Sequence, residues 1–118
     1  MGKYRDIVAE LREPTRALRA EIPEQWDGFG KLHEAAVADG VLDAKTKELM
    51  ALAIAVVKQC DGCIAYHARG AAMRGATRVE VAEALGVALL MDGGAATVYG
   101  PRALVAFDEF AAPVAAVG

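Results

Sequence analysis

The sequence predicts an all-α, single-domain fold of about six helices. Three observations carry this: apolar residues recur at helical rather than alternating spacing, helix-capping residues precede the successive segments, and alanine supplies much of the apolar content. Hydrophobic residues make up 55% of the 118-residue chain, enough for one core and too many for a disordered segment. The span 1–118 therefore reads as one domain, with no repeat and no linker. Aromatics are only 6%, so the core must rest on many small contacts or be completed by further copies of the chain.

The elements follow in order. Tyr4 to Arg19 carries Ile7, Leu11 and Leu18 at roughly helical spacing, with Pro14 expected to kink or break it. Ile22-Pro23-Glu24 reads as a second start, proline being favoured at the first helical position. Phe29, Leu32, Ala36 and Val37 then mark an amphipathic face ending near Gly40. Asp43 is an N-cap candidate for a third helix reaching about Lys58. Its run Leu49–Val57 is apolar all round and is expected to form the buried centre. Gln59-Cys60-Asp61-Gly62 breaks the pattern and opens a fourth helix through Arg74, closed by Gly75. Thr77 and Glu80 fit a capping box for a fifth helix through about Met91. Gly93-Gly94 interrupts the chain again before a last helix, Ala95 to Phe110, complicated by Pro101. The tail from Pro113 to Gly118 has little to hold it.

Several function classes are disfavoured. A net charge of −3 with mixed signs, and no cluster of basic residues among aromatics, argues against nucleic acid. The charged N-terminus lacks the apolar region of a secretory signal, and the longest apolar run, Leu49–Val57, falls short of the ~20 residues a membrane span needs. No membrane partner is expected, and the reading is a cytoplasmic protein. In such a reducing setting, two cysteines three positions apart are more often catalytic or metal-binding than a structural staple.

Chemistry concentrates at four residues. Cys60, Cys63 and His67 follow one another at spacings of three and four, which on a helix line up along one stripe. A thiol at a first helical turn feels unsatisfied N–H groups and the positive end of the helix dipole, both favouring the nucleophilic thiolate. His67, one turn beyond Cys63, can take that thiol's proton. Glu48 heads the most apolar helix on the stripe of Leu52 and Ala55, where an ionised carboxylate is costly unless paired. A histidine on the neighbouring helix is the obvious partner, which makes Glu48 an orienter or proton relay for His67.

Competing readings stay in view. Cys60, Cys63, His67 and Glu48 could instead ligate a metal, although three ligands on one helix suit a tetrahedral ion poorly. The thiols could also serve a redox sensor or disulfide-exchange protein without turnover. Tyr66 reads as a packing aromatic, His33 as structural or solvated, and Trp26 and Phe29 as core or subunit contacts. Substrate-pocket lining is expected from alanines with Leu85, Leu89, Leu90 and Met91.

Glu48, the run Cys60-Asp61-Gly62-Cys63 and His67 together resemble the E…CxxC…H signature of the alkylhydroperoxidase D-like branch of the carboxymuconolactone decarboxylase family. The resemblance spans roughly Leu42 to Met91 and includes Arg69-Gly70-Ala71 and Gly75-Ala76-Thr77. It implies an all-α homo-oligomer, trimer or hexamer, that reduces hydroperoxides without a cofactor, using a lipoyl- or thioredoxin-type dithiol. It also implies roles: Cys63 attacks, Cys60 resolves, and Glu48 and His67 relay protons. A characterised peroxidase of that branch has a further histidine before the second cysteine, where this chain has Gly62. The decarboxylases that give the family its name lack the cysteine pair.

Overall fold

A computed structural model describes residues 2–112 of the chain. The tail beginning at Pro113 lies outside the described residues. Within them the chain forms six α-helices and one short 3-10 turn: α1 (Lys3–Glu21), α2 (Pro23–Val37), α3 (Ala44–Val57), α4 (Asp61–Met73), α5 (Arg78–Asp92), the turn Gly93–Ala95, and α6 (Ala96–Ala111). Helices α3, α4, α5 and α6 pack together as the body, α1 lies across α4 and α6, and α2 is peripheral.

The helix starts are built by local chemistry. The Asp43 side chain accepts the Thr46 N–H at 2.8 Å, capping α3. Thr77 and Glu80 form a reciprocal capping box that opens α5. Pro23 occupies the first turn of α2, and Gly75 (φ 79°) takes the left-handed conformation that ends α4. The start of α1 has no cap of its own. Glu109 from α6 accepts the backbone N–H groups of Tyr4 (3.1 Å) and Arg5 (3.0 Å), while the Arg5 guanidinium donates to the Glu109 carbonyl. One residue near the end of α6 thus ties down the beginning of the chain.

The core is made from small side chains at close approach. Ala55, Ala65, Ala68, Ala71, Ala88, Ala96, Ala103 and Ala106 are all buried, around Leu52, Val56, Ile64, Val81, Leu85 and Phe107. Tyr4 is buried with them, and its hydroxyl donates to Asp61 at 3.1 Å in the first turn of α4. Burial, with the Asp61 charge behind it, pushes that phenol above its ordinary range.

Three expectations need correction. Pro14 does not break α1, because Pro14 and Glu10 are both exposed and the carbonyl left without its N–H partner sits beside water. The amphipathic face of α2 does not reach the core: Phe29 and Leu32 are exposed and the helix contributes no buried residue. Helix α3 is buried along only one stripe, through Glu48, Leu52, Ala55 and Val56, whereas Met50, Ile54 and Val57 are exposed along another. By length and composition alone, Arg78–Ala111 would cross a bilayer. It is instead two helices separated at Gly93 (φ 69°), and α5 with its 15 residues rises only ~22 Å against a core of ~30 Å. Val87, Leu90, Met91 and Val98 are left exposed on these two helices.

Candidate functional site

A three-residue connection between α3 and α4 sets up the site. Gln59 adopts a left-handed backbone (φ 55°), the chain reverses, and Cys60 becomes the N-cap of α4. The Cys60 sulfur accepts the Cys63 N–H at 3.2 Å, so it sits among the unpaired amides of the first turn. Cys60 and Cys63 are joined by a disulfide, with Cα atoms 5.2 Å apart. His67 follows one turn later. All three line one cavity of about 600 Å3.

Glu48 enters from α3. It is only 4% exposed and is the one buried charged residue among those described, so its partner matters. That partner is His67, whose Nδ1 lies 3.3 Å from Oε2 of Glu48. The carboxylate has room because residue 70 is glycine: a Cβ there would collide with the carboxylate of Glu48. Helix α4 thus presents a sulfur pair, an imidazole and a notch, and α3 fits a carboxylate into the notch.

The structure brings together the four residues singled out in the sequence, and it adds one that was set aside. His33, from the otherwise peripheral α2, stacks on His67 with ring centroids 6.0 Å apart and planes inclined by 26°. Ligand-capable atoms of His33, Glu48 and His67 all lie within 4.8 Å of one another. The rest of the wall comes from Phe29, Tyr66, Met73, Arg69 and Arg74. Tyr66 is half-exposed and carries the Arg69 guanidinium over its ring at 5.2 Å. The expected lining from α5 is not found here. Leu85 and Leu89 line a separate cavity against α6, and Leu90 and Met91 face outward, because α5 packs against α3 and α6 rather than along α4, which carries the sulfur pair.

Beneath the site, Asp61 accepts the Tyr4 hydroxyl and lies 3.6 Å from Lys3 and 3.9 Å from Arg102. The residue following Cys60 is thereby fixed to α1 and α6. Chemically the arrangement can hold a thiolate, hold or move a proton between Glu48 and His67, and close or open a disulfide. With the sulfurs joined, the four-ligand set Cys60, Cys63, His67 and Glu48 cannot present two thiolates to a metal.

Comparison with known proteins gives a consistent result. The sequence model of the Carboxymuconolactone decarboxylase family matches residues 23–107. Uncharacterized protein 4 in cox locus of Paracoccus denitrificans is 45% identical over 83 residues, covering 70% of this chain and 75% of that protein. The apo form of a carboxymuconolactone decarboxylase family protein from Legionella pneumophila superposes with a TM-score of 0.90 at 44% identity, over 93% of this chain and 98% of that one. A family protein from Thermotoga maritima, described with a possible involvement in antioxidative response, gives 0.71 at 35% identity over 82% and 86% of the two chains.

Proposed function

The chain belongs to the carboxymuconolactone decarboxylase family, and from that premise we propose that it is a thiol-dependent peroxidase of the alkylhydroperoxidase D-like kind. One observation carries the reading: a Cys60–Cys63 disulfide shares a cavity with a buried carboxylate paired to an imidazole. The antioxidative description of the Thermotoga relative points the same way.

In the reduced protein, the Cys63 thiolate attacks the terminal oxygen of a hydroperoxide. The O–O bond breaks, the alcohol leaves with a proton delivered through His67, and Cys63 becomes a sulfenic acid. Glu48 stabilises the imidazolium between steps and holds its ring in place. The Cys60 thiolate then attacks the Cys63 sulfur and expels water, giving the disulfide. The sum is dithiol plus hydroperoxide to disulfide, alcohol and water. An external dithiol, of lipoyl or thioredoxin type, attacks the disulfide, passes through a mixed disulfide and restores both thiols. Apolar walls from Phe29 and Met73, with Arg69 and Arg74 also in the lining, suit an organic hydroperoxide carrying an anionic group.

The working unit in this reading is a cytoplasmic homo-oligomer, trimer or hexamer. Two exposed apolar stripes support this, one on α3 (Met50, Ile54, Val57) and one along α5 (Val87, Leu90, Met91). The deciding experiment is stopped-flow oxidation of the reduced protein with a panel of hydroperoxides, followed by turnover with a dithiol. Repeated turnover supports the peroxidase. One stoichiometric oxidation that the dithiol reverses, without turnover, assigns the site to a redox sensor instead.

A further inference from the structure

Beside the sulfur pair lies a second constellation with its own chemistry. Three successive helices each supply one donor: His33 from α2, Glu48 from α3 and His67 from α4. Their ligand-capable atoms lie within 4.8 Å of one another, and the His33 ring is on an exposed residue. Glu48 is buried at the base, His67 is largely covered, and His33 closes the outer side. The one hydrogen bond inside the cluster joins Glu48 to His67, so His33 keeps both ring nitrogens available among the described residues.

Two imidazoles and one carboxylate form the donor set of borderline first-row divalent ions. Hard cations such as magnesium and calcium prefer oxygen throughout. Three protein donors also leave coordination positions open, and here they would face the cavity rather than the core. A cation would offset the cost of the buried carboxylate, which at present has only the partial help of one imidazole. It would also give α2 a reason to be where it is. That helix buries no side chain of its own, yet it lays His33 over His67.

We infer that His33, Glu48 and His67 form a divalent metal site of the zinc class, distinct from the cysteines. The inference does not rest on the peroxidase reading, and the sulfur ligands can be removed from its test. The disulfide form is stripped with a chelator and titrated with Zn(II) by calorimetry, then with Co(II) while visible absorption is followed. One ion per chain is expected, with cobalt bands of a four- or five-coordinate centre and proton release as the imidazoles are metallated. His33→Ala, at an exposed position, should leave the circular dichroism unchanged and weaken zinc by more than the roughly 10–100-fold that losing an outer partner costs. Glu48→Gln, which keeps shape, should weaken it likewise. The Cys60→Ser/Cys63→Ser double variant should bind as the parent does. The site is refuted if the oxidised protein takes up no zinc in the micromolar range, if His33→Ala binds as well as the parent, or if binding vanishes in the cysteine double variant.

Discussion

The carboxylate of Glu48 occupies the space that a side chain at Gly70 would fill. Glycine at 70 is therefore a condition for pairing Glu48 with His67 across the α3–α4 contact. A helix interior ordinarily favours alanine over glycine by ~1 kcal/mol, so the preference here comes from the site and not from the helix.

Gly70→Ala follows directly. The added methyl pushes a buried carboxylate off His67, and neighbouring atoms leave it little room to move. Helical content should persist, while the rate of thiol oxidation by hydroperoxide falls about a hundredfold, within the usual range for losing general acid–base help. Glu48→Gln should show a similar deficit, and the double variant little more than either. Additive losses would mean the two positions act separately.

Stability offers a second test at the start of α5. The Thr77 hydroxyl accepts the Glu80 N–H at 3.2 Å, and removing such a cap costs about 1 kcal/mol. For a domain of this size, Thr77→Ala should lower Tm by roughly 4–8 °C in a calorimetric scan. Thr77→Ser should recover most of it.

The ion pair between Lys45 and Glu80, 2.9 Å apart, joins the first turns of α3 and α5 and gives a pH signature. The hydrogen bond to Lys45 first, then the Thr77 amide, hold the Glu80 carboxyl below its ordinary value. Its contribution is therefore present above the unfolded carboxyl pKa and is lost as pH falls through the lower folded one. The Glu80 hydrogen bond raises Lys45, so that contribution is complete below the unfolded lysine pKa and is lost as pH rises through the higher folded one. The Tm difference between the parent and Lys45→Met should be flat from about pH 5 to 10 and shrink on either side. A difference independent of pH would mean that Lys45 acts by packing alone.

What could be read from the sequence follows how far apart the cooperating residues lie. Asp43, Thr77 with Glu80, Pro23 and Gly75 act within one turn of the backbone, and each helix boundary they announce is found. The Glu48–His67 pairing was legible because a carboxylate on an apolar stripe demands a partner, and the adjacent helix carries a histidine. His33 was not legible. It lies on a helix that buries no residue, 34 positions before His67, and only the way α2 folds back against α1 and α3 brings the rings together. The Gly70 notch was hidden for the same reason. The outer faces of α2 and α3 misled because apolar residues at helical spacing do not say whether that face meets the chain's own core, and an exposed apolar patch marks a candidate contact with another copy.

That last point predicts assembly. Light scattering at micromolar concentration should give a mass several times the 12.4 kDa of one chain. Replacing Met50 and Ile54 by glutamate places charge in the exposed stripe of α3 without touching Leu52 or Val56 beneath it. The expected result is a smaller particle with unchanged helical content. A parent protein that stays monomeric over the whole concentration range would remove the oligomer from the reading.

The roles of the two sulfurs make the sharpest prediction, because two arguments oppose each other. Cys60 is the N-cap, and its sulfur already accepts an amide of the first turn, which favours a thiolate there. Cys63 lies one turn before His67, which is paired with Glu48, and is partly buried against the core. A resolving thiol profits from being ready as a thiolate, whereas an attacking thiol also needs a proton delivered to the departing alkoxide. Only Cys63 has that donor one turn away, so Cys63 is assigned the attack and Cys60 the resolution. Peroxide treatment of Cys60→Ser should leave a sulfenic acid on Cys63, seen by mass spectrometry as a dimedone adduct. Cys63→Ser should give no adduct and no turnover, with Cys60 left as a thiol. Continued turnover in Cys63→Ser would reverse the assignment and make the helix terminus, rather than the histidine, the source of activation.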